Sequence, residues 1–159
     1  MNTRFFATLV LSTAVLGGAS AQEDSAAVDA ATASPSYVTG IGGFFFRSED
    51  PEALEQWYEA NLGINQPPKS YDDAVWRQEA GTTIFHPFVK DTEYFGDPDK
   101  QFMLNFRVRN LDGLVAHLRK NGNEVEVDPM VYPNGRFARL ADPEGNPIQL
   151  WEPAEVAAE

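Results

Sequence analysis

The side chains with the most chemical potential in this chain are two histidines, His86 and His117, and two arginines, Arg47 and Arg107, that stand at equivalent positions sixty residues apart. An arginine can hold a carboxylate or phosphate through two parallel, charge-assisted hydrogen bonds. If the two copies around Arg47 and Arg107 face each other, both guanidinium groups reach one cavity from opposite sides and favour a small anionic ligand. The other reading turns them outward to pair with the many surface acids. His117 falls on the exposed side of a helical pattern near its C-terminus, where a cation is mildly favoured by the helix dipole, and reads as a surface residue. His86 lies in a strand-like run: pointing inward it is a lone acid-base or ligand group, pointing outward a solvent-edge residue. No Ser-His-Asp, zinc-helix or phosphate-loop pattern is present, so no catalytic residue is assigned. Gly40-Ile41-Gly42-Gly43 is not a nucleotide loop, because a strand-like run follows it rather than a helix.

The elements that must position these residues come in two copies. Phe46 and Arg47 recur as Phe106 and Arg107, Leu54 as Leu114, and Asn61 as Asn121, the mark of a duplicated supersecondary unit. In the first copy Ile41 to Arg47 reads as a strand. Asp50 is an N-cap with Pro51 at the first helical position, Leu54, Trp57, Tyr58 and Leu62 follow at helical spacing, and Gly63 ends the helix. Ala74 to Gln78 and Thr82 to Phe88 read as two strands around Ala80-Gly81, followed by a loop from Asp91 to Gln101. The second copy repeats the order with strand Phe102 to Val108, cap Asn110, and Leu111, Leu114, Val115 and Leu118 on one helix face closed by Gly122. Strand-like runs Glu124 to Val131, Arg136 to Ala141 and Ile148 to Glu152 finish it, the last two joined by the turn Asp142-Pro143-Glu144-Gly145.

Residues 1–21 are a different kind of sequence. Arg4, the apolar run Phe5 to Leu16 and the ending Ala19-Ser20-Ala21 have the parts of a secretory signal peptide, with cleavage expected before Gln22. The apolar run is too short for a stable membrane anchor, and without a cysteine at the junction no lipid anchor can form. The expected location is therefore periplasmic or extracellular. Residues 22–36 are Ala, Ser, Thr and acids, a composition that cannot bury enough apolar surface to offset its ordering entropy and reads as a disordered tether. Residues 37–153 suffice for one domain and 154–159 form a short tail. Removing Arg4 with the signal leaves 11 basic against 24 acidic side chains, a net charge of −13. Such a charge argues against nucleic acid or an anionic membrane as partner. With no cysteine, packing alone must hold the fold.

Particular residues resemble a known superfamily. Asp50 to Gly63, with Trp57-Tyr58 and the ending Asn61-Leu62-Gly63, looks like the opening motif of the glyoxalase/bleomycin-resistance/extradiol-dioxygenase proteins, the vicinal oxygen chelate superfamily. Asp142-Pro143-Glu144-Gly145-Asn146 followed by Ile148 to Pro153 is similar to its closing strand. The resemblance implies an α+β fold in which paired βαβββ modules form a cup-shaped mixed sheet, and often a homodimer. Its metal-dependent members hold a divalent ion with His and Glu on the inner strands. Here the corresponding positions are Gly43, Met103 and Gln149, which lack a ligating side chain, suit only soft metals, or offer a neutral amide in place of a carboxylate. The resemblance thus implies no metal and no cofactor, and a closer analogy with the metal-free binding members.

With Gly43 on the inner face, strand alternation places Phe45 and Arg47 beside it, Met103, Asn105 and Arg107 on the equivalent strand, and Gln149 and Trp151 on the closing strand. Those seven side chains are the expected binding surface for a small, partly apolar and anionic molecule. The competing expectation is a lyase or isomerase of the glyoxalase type with an unrecognised metal or acid-base site, to which His86 and Glu79 are the expected contributors.

Overall fold

The computed structural model describes residues 37–154. The expected signal peptide and tether, and the tail beyond Ala154, lie outside the described residues. Residues 37–45 belong to one unit of the chain and Phe46 onward to another. In the first, the described residues form neither helix nor strand.

Among the described residues from Phe46 onward, two helices and four strands follow in the order α1 (Pro51–Leu62), β1 (Leu104–Arg107), α2 (Leu111–Lys120), β2 (Glu126–Val127), β3 (Gly135–Ala141) and β4 (Pro147–Pro153). Both helices start as the sequence predicts. Asp50 accepts a hydrogen bond from Ala53 N at 3.1 Å, and Asn110 accepts one from Gly113 N at 3.1 Å, each satisfying an otherwise orphaned donor of a first helical turn. The first also ends as predicted, with Gly63 left-handed at φ 67° and its N–H on Glu59 O.

The strands form one sheet in the order β1-β4-β3-β2. β4 lies parallel to β1 and antiparallel to β3, so the final strand of the chain is central. The hairpin between β3 and β4 closes through Gly145 N on Asp142 O at 2.9 Å, with Gly145 at φ 74°. One face of this sheet carries Ala138, Leu140, Ile148 and Leu150. These pack with Leu111, Val115 and Leu118 of α2 and with Leu54 and Tyr58 of α1 as the core. Several polar contacts tie α1 to the second copy. Tyr58 donates its hydroxyl to Asp142 Oδ2 at 2.9 Å, and Glu144 Oε1 accepts from Ser48 Oγ, Glu49 N and Asp50 N at 2.6, 2.9 and 3.0 Å.

The α+β class and the mixed sheet agree with the sequence reading, but the strands expected in the first copy do not form. Ile41 to Arg47, Ala74 to Gln78 and Thr82 to Phe88 are irregular, and Glu124 to Val131 shortens to the two-residue β2. Alternation and β-branched or aromatic content make a run compatible with a sheet, but a strand exists only where another backbone completes its hydrogen bonds.

Candidate functional site

The pairing registers lay out the sheet face opposite the core as two rows of side chains. The first row, across all four strands, is Asn105, Gln149, Arg139 and Glu126. The second is Arg107, Trp151 and Phe137, extended by Asp128, whose N–H bonds Phe137 O at 3.0 Å just beyond β2. Directly opposed residues of a ladder emerge on the same side, so one row is polar and the other aromatic at its centre.

The polar row is covered by Tyr94. Gln149 accepts from Asn105 Nδ2 at 2.7 Å and donates from Nε2 to the Tyr94 hydroxyl at 2.9 Å, which satisfies both ends of a buried amide. Arg139 donates from Nη1 to Tyr94 O at 2.9 Å, with its guanidinium carbon 4.4 Å from the Tyr94 ring centre, a cation–π contact. Tyr94 in turn stacks on Phe88 at 4.9 Å, and Phe88 meets His86 edge-on at 4.5 Å. The chain between His86 and Phe95 thus brings an aromatic cluster onto the sheet.

The aromatic row is a platform. Phe137 and Trp151 lie 8° from parallel at 6.3 Å, Tyr132 meets Phe137 edge-on at 5.7 Å, and the Trp151 indole donates to Asn134 O at 2.7 Å. Tyr132 donates its hydroxyl to Asp128 Oδ2 at 3.0 Å. That bond to a carboxylate raises the phenol's pKa and keeps the proton in place. An open hollow of about 550 Å³ sits over this region, lined among others by Tyr94, Glu126, Asp128, Phe137, Arg139 and Gln149, a volume suited to a small molecule.

Of the seven residues expected from sequence, four share this face: Asn105, Arg107, Gln149 and Trp151. Met103 is half-buried just before β1, Arg47 is exposed, and Phe45, in the separate unit, is 93% exposed. Arg107 donates from Nη2 to Glu79 O at 2.7 Å, while Arg109 pairs with the Glu79 carboxylate. Neither Arg47 nor Arg107 lines the hollow, whose cation is Arg139. His117 lies with Nε2 3.1 Å from Ala60 O, linking α2 to the end of α1. Sequence reasoning missed Tyr94, Arg139 and Phe137. The last two were within reach, because a hairpin closed at Asp142 to Gly145 sets Arg139 opposite Gln149 and Phe137 opposite Trp151. Tyr94 left no such signal.

Among the described residues, no group of three or more His, Cys, Asp or Glu converges as cation ligands. At the closing-strand position Gln149 is a neutral amide with both ends already bonded, a poor fit to a hard divalent ion.

The profile of the glyoxalase-like domain matches residues 43–151, and the chain belongs to that family. It is similar to a glyoxalase/bleomycin resistance protein from Streptomyces sp. CB03234, with 34% identity over 33% of this chain and 46% of that one and a TM-score of 0.30. The chain thus spans under half the length of that relative. It is also similar to TnmS3, an antibiotic binding protein from the same organism, with 22% identity over 76% of this chain and 100% of that one and a TM-score of 0.49. No curated protein matches the chain.

Proposed function

We propose that this glyoxalase-like domain binds a small, partly aromatic molecule, without a metal, on the open face of its sheet. The observation that carries the reading is the juxtaposition of the Phe137–Trp151 platform with the polar row under Tyr94, around one hollow. Few polar groups set beside an aromatic surface are what fixes and orients a small ligand. The anionic part of such a ligand, first expected at Arg47 and Arg107, is best received by Arg139, which lines the hollow and retains N–H groups beyond the one given to Tyr94 O.

Native mass spectrometry of the protein from its host is the test. A small organic molecule should accompany the wild-type chain and be lost from Phe137→Ala. A wild-type chain that carries none and binds nothing in an aromatic-acid screen refutes the reading. Chelator treatment should leave the melting temperature unchanged.

Export completes the proposal. Among the described residues no helix is long and apolar enough to cross a membrane, and a mature N-terminus at Gln22 is the expected product. Retention of Met1 on protein from the host would refute it. A homodimer is the further expectation, supported by the apolar side chains of Val75, Trp76, Ile84, Phe85 and Val89, all at least 41% exposed, which a second copy would cover. Light scattering should give twice the chain mass; a monomer at tens of micromolar would count against it.

A further inference from the structure

Glu126 of β2 and Arg139 of β3 are directly opposed in an antiparallel ladder. Such partners have Cβ atoms about 4.5–5.5 Å apart, and opposite charges so placed ordinarily close on each other. This pair does not close. Arg139 turns to Tyr94, giving one N–H to its carbonyl oxygen and setting its guanidinium carbon over the ring. Among the described residues Glu126 accepts no hydrogen bond and joins no ion pair, and its side chain is exposed at the hollow.

The other acid of the hollow is already engaged at both oxygens, though not saturated. Asp128 receives Met130 N on Oδ1 and the Tyr132 hydroxyl on Oδ2, at 2.9 and 3.0 Å. The hollow therefore presents one cation, Arg139, and two carboxylates, of which Glu126 is the one with no partner among the described residues, beside the edge of an aromatic platform. A purely anionic guest would meet Arg139 but also two carboxylates. A purely cationic guest would meet Glu126 and leave Arg139 facing its charge. A guest carrying both charges satisfies each with a charge-assisted bond.

Resting on the small-molecule reading above, we propose that the hollow selects amphoteric aromatic molecules, whose acidic group lies at Arg139 and whose ammonium or amine group lies at Glu126.

Calorimetry with four indoles of matched ring and different charge tests this: tryptophan, tryptamine, indole-3-propionate and 3-methylindole. Tryptophan should bind tightest, about tenfold over either singly charged probe, as the gain of one charge-assisted bond at a partly exposed site implies. Glu126→Gln should remove its advantage over indole-3-propionate, and Arg139→Met its advantage over tryptamine. Phe137→Ala should weaken all four together. Equal affinity for tryptophan and 3-methylindole, with both charge variants silent, overturns the amphoteric inference and leaves the binding surface standing. Absence of heat with every probe at millimolar concentration overturns both. Unchanged melting temperatures for Glu126→Gln and Arg139→Met assign any loss of preference to the charges rather than to the fold.

Discussion

The two copies of the repeated unit make a similar helix, but among the described residues only the second makes a sheet. α1 and α2 are capped by the same kind of side-chain bond at Asp50 and Asn110, although Asn110 is left-handed at φ 52° and Asp50 is not, and Gly63 and Gly122 follow them with positive φ. Asn61 and Asn121, one repeat apart, touch each other, with Asn121 Nδ2 donating to Asn61 Oδ1 at 3.2 Å. Beyond the helices the likeness stops. Ile148 and Leu150 of the second copy are completely buried, whereas Ile84 and Phe85 of the first are 70% and 88% exposed. A helix closes its hydrogen bonds within its own sequence. A strand depends on a distant one, and among the described residues only the second copy has a β4 to insert between β1 and β3.

The largest test of that contrast is a pair of truncations. Leu150→Ala should cost about 2–5 kcal/mol in urea unfolding, because it empties a fully buried site in the central strand. Tyr71→Ala in the first copy should stay within about 0.5 kcal/mol, as expected of a fully exposed side chain outside the expected dimer surface. Equal losses would mean that the first copy is as well packed as the second.

A smaller effect is expected at glycines. A Cβ at Gly135, φ 127°, would collide with the carbonyl oxygen of Glu152 on the neighbouring strand, whereas one at Gly42 has nothing within 4 Å. Gly135→Ala should therefore cost about 1–3 kcal/mol by thermal or urea unfolding, and Gly42→Ala should be close to neutral.

The seam between the copies has two pH signatures. Burial, with the neighbouring Asp142 carboxylate, raises the Tyr58 phenol far above its ordinary 10.0. Its contribution is then fully present below pH 10 and lost as pH rises past that value, since the unfolded chain releases the proton more easily. Melting temperature should fall more steeply above pH 10 in wild type than in Tyr58→Phe. That variant should lose about 1 kcal/mol at neutral pH with the hydroxyl's hydrogen bond; identical alkaline profiles would show that the seam opens before Tyr58 titrates.

The smallest effect belongs to Glu144, whose carboxyl is lowered by hydrogen bonds from Asp50 N and Ser48 Oγ. Here the contribution is present above the ordinary carboxylate range and is lost as pH falls through it. Glu144→Gln should reduce the acid sensitivity of the melting temperature between pH 5 and 2.

The site was legible where alternation along one strand was enough. Reading Asn105 and Arg107, or Gln149 and Trp151, as neighbours on one face needs only the period of two, and the registers agree. Arg139 and Phe137 required the hairpin register as well, which the Asp142 to Gly145 turn supplies. Tyr94 sits between Thr92 and Gly96 in a loop with no period, and its place over the polar row follows from contacts of Phe88, Gln149 and Arg139 that are remote in sequence.

The sequence by itself determined both helices, their caps, the final hairpin and the family, because those rest on local hydrogen bonding, fixed turn chemistry and a recognisable pattern of residues. Only the tertiary structure decided which strand-like runs become strands, that Arg139 rather than Arg47 or Arg107 lines the hollow, and that Glu126 and Arg139 stand opposed yet unpaired. Each of these depends on backbone or side-chain partners brought together from distant parts of the chain, and a local pattern carries no record of which partner arrives.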